Sequence, residues 1–215
     1  MVGRYHGSGR VILNSEWMME KNMTSEQFTI RRKVIKFFGG SFRILDSAGQ
    51  VVGYCRQKAF KLKEDLRIYT GEDCSNELLL IKARNIIDFG ATYSILLPDG
   101  IEIGSVRRKG LMSTFARDSW KVFDGDGNEI GMVSEDTAGM AFARRFIPLV
   151  TLFSPQKFEL RRIGSDESIA TFRTHSNIFV RRLGIRIWKE DPFLSEPMIL
   201  SIGCLLTAME SRTEG

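Results

Sequence analysis

Three stretches of this chain repeat one arrangement: apolar, any residue, apolar, apolar, three free positions, glycine, two free positions, apolar, glycine. They run from Phe42 to Gly53, from Tyr93 to Gly104 and from Trp120 to Gly131, and a looser copy runs from Phe158 to Ala170. In each strict copy an alternating apolar run meets a turn cluster (Ala48-Gly49, Asp99-Gly100, Asp126-Gly127) and a second apolar run follows. That order predicts strand, tight turn, strand. The copies begin at 42, 93, 120 and 158, too unevenly for a solenoid or propeller, and so predict a meandering sheet or barrel with inserted loops. The closing Gly53, Gly104 and Gly131, with Ala170 in the fourth copy, fall inside the second strand, where glycine marks a bend or a close approach by another segment.

Further strands are predicted at Phe28–Lys36, Leu66–Thr70, Glu77–Arg84 and Ile178–Lys189, each alternating or β-branched and bounded by turn residues. One short helix is predicted within the sheet region, at Thr137–Phe146. With 215 residues, 43% of them hydrophobic, and no Pro- or Ser-rich linker, the chain reads as one domain over 28–212 behind an extension, 1–27. That extension is expected to be flexible, with Gly3, Gly7, Ser8 and Gly9 early, and it lacks the apolar stretch of a signal peptide. Met18, Met19 and Met23 offer alternative starts. Three widely separated cysteines, Cys55, Cys74 and Cys204, with no C-x-x-C, predict a reduced, cytoplasmic setting.

The C-terminal segment differs in kind. Ser195 is placed to cap a helix opening on Glu196 and Pro197, and Met198–Met209 is apolar almost all round. Such a helix either spans a membrane or lies at the centre of a fold. Its apolar run of about 13 residues falls short of the roughly 20 a bilayer needs, so burial is predicted. Met198, Ile199, Leu200, Ile202, Leu205, Leu206 and Met209 would contribute roughly 10 to 20 kcal/mol of gross transfer energy, against a net domain stability of about 5 to 15 kcal/mol.

Ile30–Val34, Phe37–Phe42, Gln57–Asp65, Ile81–Arg84, Arg107–Leu111, the Trp120 hairpin and Pro155–Phe158 form an ordered set of segments within Phe28 to Glu210. In that order they resemble the LURP-one-related family of the tubby C-terminal-like and phospholipid scramblase superfamily. The resemblance implies a mainly β fold, a closed antiparallel barrel of about twelve strands around a buried C-terminal apolar helix. It gives the hairpin glycines, with Ile199, Ile202, Leu205 and Leu206, a structural role where strands pass that helix. The superfamily's association with membrane lipids implies an anionic phospholipid partner. Scramblases carry carboxylates for calcium just before the last helix; here Thr174–Phe179 reads THSNIF, which argues against calcium-triggered scrambling.

Asp124, Asp126, Asn128 and Glu135 fall at positions 1, 3, 5 and 12 of an EF-hand loop, but position 6 is Glu129 instead of glycine and strands flank the segment. A plain turn is the expectation, with no metal and no cofactor. No nucleophile elbow, phosphate-binding loop, dinucleotide fingerprint or zinc-protease motif occurs. His6 and His175 make no ligand pair, His175 reads as a surface or hydrogen-bonded residue, and Cys204 as an inert buried thiol. The chain therefore reads as a non-enzyme.

Charge is the remaining hint. The net charge is +5; residues 1–27 carry three basic and three acidic side chains and 193–215 one against three, so 28–192 holds +7. Basic residues cluster at Arg31-Arg32-Lys33 with Lys36, at Lys58, Lys61 and Lys63, at Arg107-Arg108-Lys109, and as pairs at 144–145, 161–162 and 181–182. Adjacent residues of a strand face opposite ways, so such pairs share a patch only where a loop or bulge intervenes. Solvated faces, salt-bridge partners and guarded strand edges form the plain reading. The sharper one is an anionic phospholipid site, first at Arg107, Arg108 and Lys109, then at Arg144 and Arg145 beside an apolar loop. Three classes stand: a barrel acting at a membrane surface or on protein partners, a nucleic-acid binder (pI about 9.2, yet without a recognisable reading motif), and an enzyme with an unrecognised site.

Overall fold

The structure is a computed structural model that describes residues 25–33, 41–56, 65–85, 90–109, 119–135, 156–176 and 180–210. The predicted helix at 137–146, Arg144, Arg145 and nearly all of the 1–27 extension lie outside the described residues. Twelve strands are followed by one helix: β1 (Phe28–Lys33), β2 (Ser41–Asp46), β3 (Val51–Arg56), β4 (Leu66–Tyr69), β5 (Glu77–Asn85), β6 (Thr92–Leu96), β7 (Glu102–Arg108), β8 (Ser119–Asp124), β9 (Glu129–Glu135), β10 (Lys157–Arg162), β11 (Ser168–Ser176), β12 (Val180–Ile187) and α1 (Glu196–Glu210). Each strand pairs antiparallel with its sequence neighbours, and β12 returns to β1, so the sheet closes into a barrel without an edge.

The repeated pattern is a hairpin with a built-in bulge. In the first three copies the glycine of the turn lies at positive φ (79° at Gly49, 89° at Gly100, 86° at Gly127), which a residue with a side chain adopts only at a cost. The turns close with the same backbone bonds, as in Gly49 N–H to Asp46 C=O at 3.0 Å and Gly127 N–H to Asp124 C=O at 3.1 Å. Beyond each turn the register slips: Ile44 opposes Gly53 but Leu45 opposes Val51, Ile95 opposes Gly104 but Leu96 opposes Glu102, and Val122 opposes Gly131 but Phe123 opposes Glu129. The extra residues are Val52, Ile103 and Ile130, and Ile169 plays the same part in the fourth copy. The apolar residue just before the closing glycine is thus the bulged one, and the bulge adds the local twist a closing barrel needs.

Helix α1 begins immediately after Ser195, whose carbonyl accepts the Ile199 N–H at 3.0 Å. Every residue from 201 to 208 is buried, as are Met198 and Ile199, so the helix is enclosed on all sides. It touches β12 and β1 on one flank and β5 and β7 on the other. Twelve strands enclose more width than their own side chains fill, and a helix about 10 to 12 Å across with its side chains takes up the remainder. Ser201 and Thr207 lie inside because their hydroxyls donate to carbonyls one turn back, Pro197 at 2.8 Å and Gly203 at 2.9 Å. Around the helix the inward rows hold Ile30, Phe42, Ile44, Ile81, Ile95, Val122, Leu160, Phe172 and Ile185, each at most 2% exposed.

The expectation that the three closing glycines all clear room for α1 is met by one of them. A Cβ on Gly104 would overlap the Met198 methyl and the Phe123 carbonyl; one on Gly53 would meet Ile44 Cδ1 at 2.9 Å, and one on Gly131 the Arg161 carbonyl at 2.8 Å. Those two glycines relieve crowding between neighbouring strands instead. The helix contributes a glycine of its own: a Cβ on Gly203 would lie 2.7 Å from Ile185 Cδ1.

Candidate functional site

With α1 inside the barrel, the side chains that can meet a partner are those on its outer surface and at its two ends. Among the described residues no group of three or more His, Cys, Asp and Glu is placed to hold a metal ion. The EF-hand-like spacing is a turn: Asp124 Oδ1 accepts the amides of Asp126 and Asn128 at 3.0 and 2.8 Å, and Oδ2 accepts the Asn128 side-chain amide at 3.0 Å. The bonds from Asn128 hold the Asp124 carboxyl below the usual carboxylate range. Glu135 lies at the far end of β9, about 20 Å of strand from that turn. Burial pushes the thiols of Cys204 and Cys55 well up, so both are poor nucleophiles.

The first-choice basic cluster is divided by strand geometry. Arg107 faces outward, its Nε donating to Thr92 Oγ1 at 3.1 Å and its guanidinium 5.1 Å from the centre of the Phe123 ring. Arg108 turns the other way, opposite buried Trp120 and 5.6 Å over its ring. Lys109 is exposed just past the end of β7, its amide bonded to the Ser119 carbonyl. Arg107 and Arg108 therefore do not converge. The partly exposed Lys121, directly opposite Arg107, is tied to Glu129 at 2.6 Å.

A different set of basic residues is brought together where the barrel closes. Arg31 on β1 stands opposite Arg43 on β2 and opposite Arg182 on β12, and Arg182 stands opposite His175 on β11. Strands lie about 4.8 Å apart, so Arg43, Arg31, Arg182 and His175 form one outward row across four strands, roughly 15 Å long. Arg173 and Arg186 extend it along β11 and β12, and Arg56 beyond β2 on β3. Arg43 is paired with Glu72 at 2.5 Å. Arg31, Arg56, Arg173 and Arg182, all exposed, have no carboxylate partner among the described residues. Elsewhere on the barrel many outward cations are matched, Arg67 with Glu77, Arg84 with Glu102, Lys157 and Arg161 with Glu159, Lys189 with Glu167, while Lys82, Arg107 and Lys109, which do not stand directly opposite one another, are without a carboxylate among the described residues.

The same face ends in aromatic side chains near the start of α1. Arg186 lies 4.8 Å over the ring of Trp188, which is 43% exposed, and Arg162 lies 5.1 Å over Phe193, 50% exposed, while also pairing with Asp191 at 3.0 Å. Near the middle of β12 sits Gly184. The carboxylate of Glu26, from the residues preceding β1, rests directly on it, and a Cβ on Gly184 would overlap that carboxylate. Glu26 Oε1 is 2.8 Å from His175 Nε2. The next residue, Gln27, is clamped to Ile187 by two bonds, Ile187 N–H to Gln27 Oε1 at 2.8 Å and Gln27 Nε2 to the Ile187 carbonyl at 3.2 Å.

Sequence inspection found the pairs Arg31-Arg32 and Arg181-Arg182 and noted that only one member of each can face outward. It did not find the row, because β1 and β12 meet only on closure of the barrel and no local signal carries their register. The available signal was phase: Arg31, Arg43, Arg182 and His175 each stand next to an inward residue, Ile30, Ile44, Leu183 and Thr174. Compared with known proteins, the chain matches no family model, no curated protein and no solved structure.

Proposed function

We propose that this barrel is a non-enzymatic module of the LURP-one-related kind that attaches to anionic phospholipid surfaces through the outer face of β11, β12, β1 and β2. The observation that carries this reading is the row Arg43, Arg31 and Arg182, continued by His175, in which the like charges of the three arginines stand directly opposite one another. Such pairs destabilise a sheet, and an external anion converts that cost into binding. Each arginine near an acidic membrane surface is worth about 1 kcal/mol, so the uncompensated Arg31, Arg173 and Arg182 together supply on the order of 3 kcal/mol of salt-sensitive attachment. Exposed Trp188 and Phe193, each beneath an arginine, add the mixed apolar and cationic character suited to a lipid interface. The filled interior also favours surface attachment over chemistry in the lumen.

Sedimentation with phosphatidylserine-containing vesicles tests the reading. Wild-type protein is expected to pellet with them and not with neutral phosphatidylcholine vesicles, and Arg31→Ala/Arg182→Ala to lose most of that pelleting. Arg107→Ala/Lys109→Ala is expected to lose less, because Arg107 is engaged by Thr92 and Phe123. Equal pelleting of wild type and the Arg31/Arg182 variant overturns the assignment. Binding of nucleic acid in place of vesicles would move the face to the second class of partner.

A further inference from the structure

We infer that the hollow above Gly184 is a built anion site, occupied here by the chain's own Glu26 carboxylate, and that a phosphate group can displace that carboxylate. This rests on the membrane-surface reading for its lipid arm alone.

Gly184 lies in the interior of a strand, where a missing side chain weakens packing and marks close approach by something else. Here the approaching group is an anion: the Glu26 carboxylate lies where a Cβ would be. The rim of the hollow is cationic. In register, Arg173 of β11 stands opposite Gly184, Arg182 and Arg186 precede and follow it by two on β12, and Thr29 of β1 closes the other side. Positions directly opposite lie about 5 Å away and those two along the strand about 7 Å, within reach of an arginine side chain. None of these four bonds to Glu26; its close partner among the described residues is His175, diagonal to Gly184, at 2.8 Å. Arg173 and Arg182 have no carboxylate partner among the described residues, so one carboxylate sits among more positive charge than it neutralises.

A phosphate fits this surplus better than a carboxylate does. It brings more acceptor oxygens, and as inorganic phosphate or a phosphomonoester more charge, and guanidinium groups bind it through charge-assisted, often paired hydrogen bonds. Gln27 anchors the adjoining backbone to Ile187, so Glu26 can swing off the hollow while the strand it precedes stays in place. Glu26 then acts as an internal competitor that sets a threshold for the external anion.

The experiment uses the full chain and two probes, phosphatidylserine-containing vesicles and inorganic phosphate. Glu26→Gln removes the charge while keeping the shape, and a thermal melt without either probe gives its baseline. Removing one negative charge from the face is expected to tighten vesicle binding about fivefold, and adding Arg173→Ala is expected to remove that gain. Inorganic phosphate is expected to raise the melting temperature of Glu26→Gln more than that of wild type. Unchanged vesicle affinity and equal phosphate shifts in the two proteins overturn the inference, while the loss seen in Arg31→Ala/Arg182→Ala would still uphold the membrane reading. Vesicle binding absent from every variant, with the phosphate difference retained, upholds the hollow with a soluble phosphate as its ligand and sinks the membrane reading alone.

Discussion

Gly104 and Gly49 do different work although both are hairpin glycines. At Gly49 nothing lies within 4 Å of an added Cβ and only the positive φ matters, so Gly49→Ala is expected to cost about 1 kcal/mol. At Gly104 an added methyl meets both Met198 and the fixed Phe123 carbonyl, and Gly104→Ala is expected to cost about 1 to 3 kcal/mol by overpacking. Urea unfolding of the two variants checks the order; a larger loss at Gly49 would contradict it. The thiols divide in the same way. Cys74 is partly exposed and Cys55 and Cys204 are buried, so a thiol reagent should label one site in the native protein and three after unfolding. Because burial raises the pKa of both buried thiols, the native state keeps their protons longer than the unfolded chain does. Their contribution is therefore complete below the ordinary thiol value of about 8.5 and lost progressively as pH climbs beyond it. Thermal melts across the alkaline range should show that decline.

At the scale of elements, the hairpins were legible because everything that makes them is local. An Asp or Leu at the start of the turn, a glycine three residues on and a β-branched run beyond are read from a dozen consecutive positions. The same holds for α1, whose uniform apolarity over Met198–Met209 leaves only burial as an outcome. What could not be read was which neighbour each small residue faces: Gly53 and Gly104 occupy equivalent places in the repeat, yet one meets Ile44 of the adjoining strand and the other Met198 of the helix. That difference depends on the rotation of the helix inside the barrel, which no stretch of strand sequence records. Ending the chain at Ser195 is expected to abolish cooperative folding, since it leaves the inward rows of twelve strands without their filling; a soluble truncate with a sharp melt would contradict this. Leu205→Ala, at a position 2% exposed within the helix, is expected to cost about 2 to 5 kcal/mol while the fold survives, measurable by denaturant titration.

For the whole molecule, the strands form a ring and the proposed binding face lies across its seam. The row of Arg43, Arg31, Arg182 and His175 escaped sequence reading for that reason: its members come from both ends of the domain, about 150 positions apart, and only the closing pair β1–β12 sets them side by side. A face of this kind works by unscreened charge, so vesicle binding is expected to weaken on the order of tenfold between about 0.05 and 0.3 M salt. Attachment that ignores ionic strength would point to the aromatic side chains instead. The seam also bears on how the protein is made. Its first strand must wait for the twelfth, and the central helix emerges from the ribosome after all twelve strands, so a growing chain holds a broad oily trough open until residues 196–210 have been made. Contacts so distant in sequence form slowly, and exposed strand borders invite association with other chains meanwhile. Cells that make this protein quickly should therefore need a chaperone to hold it, and slowing translation ahead of residue 195 should lower the yield of folded product.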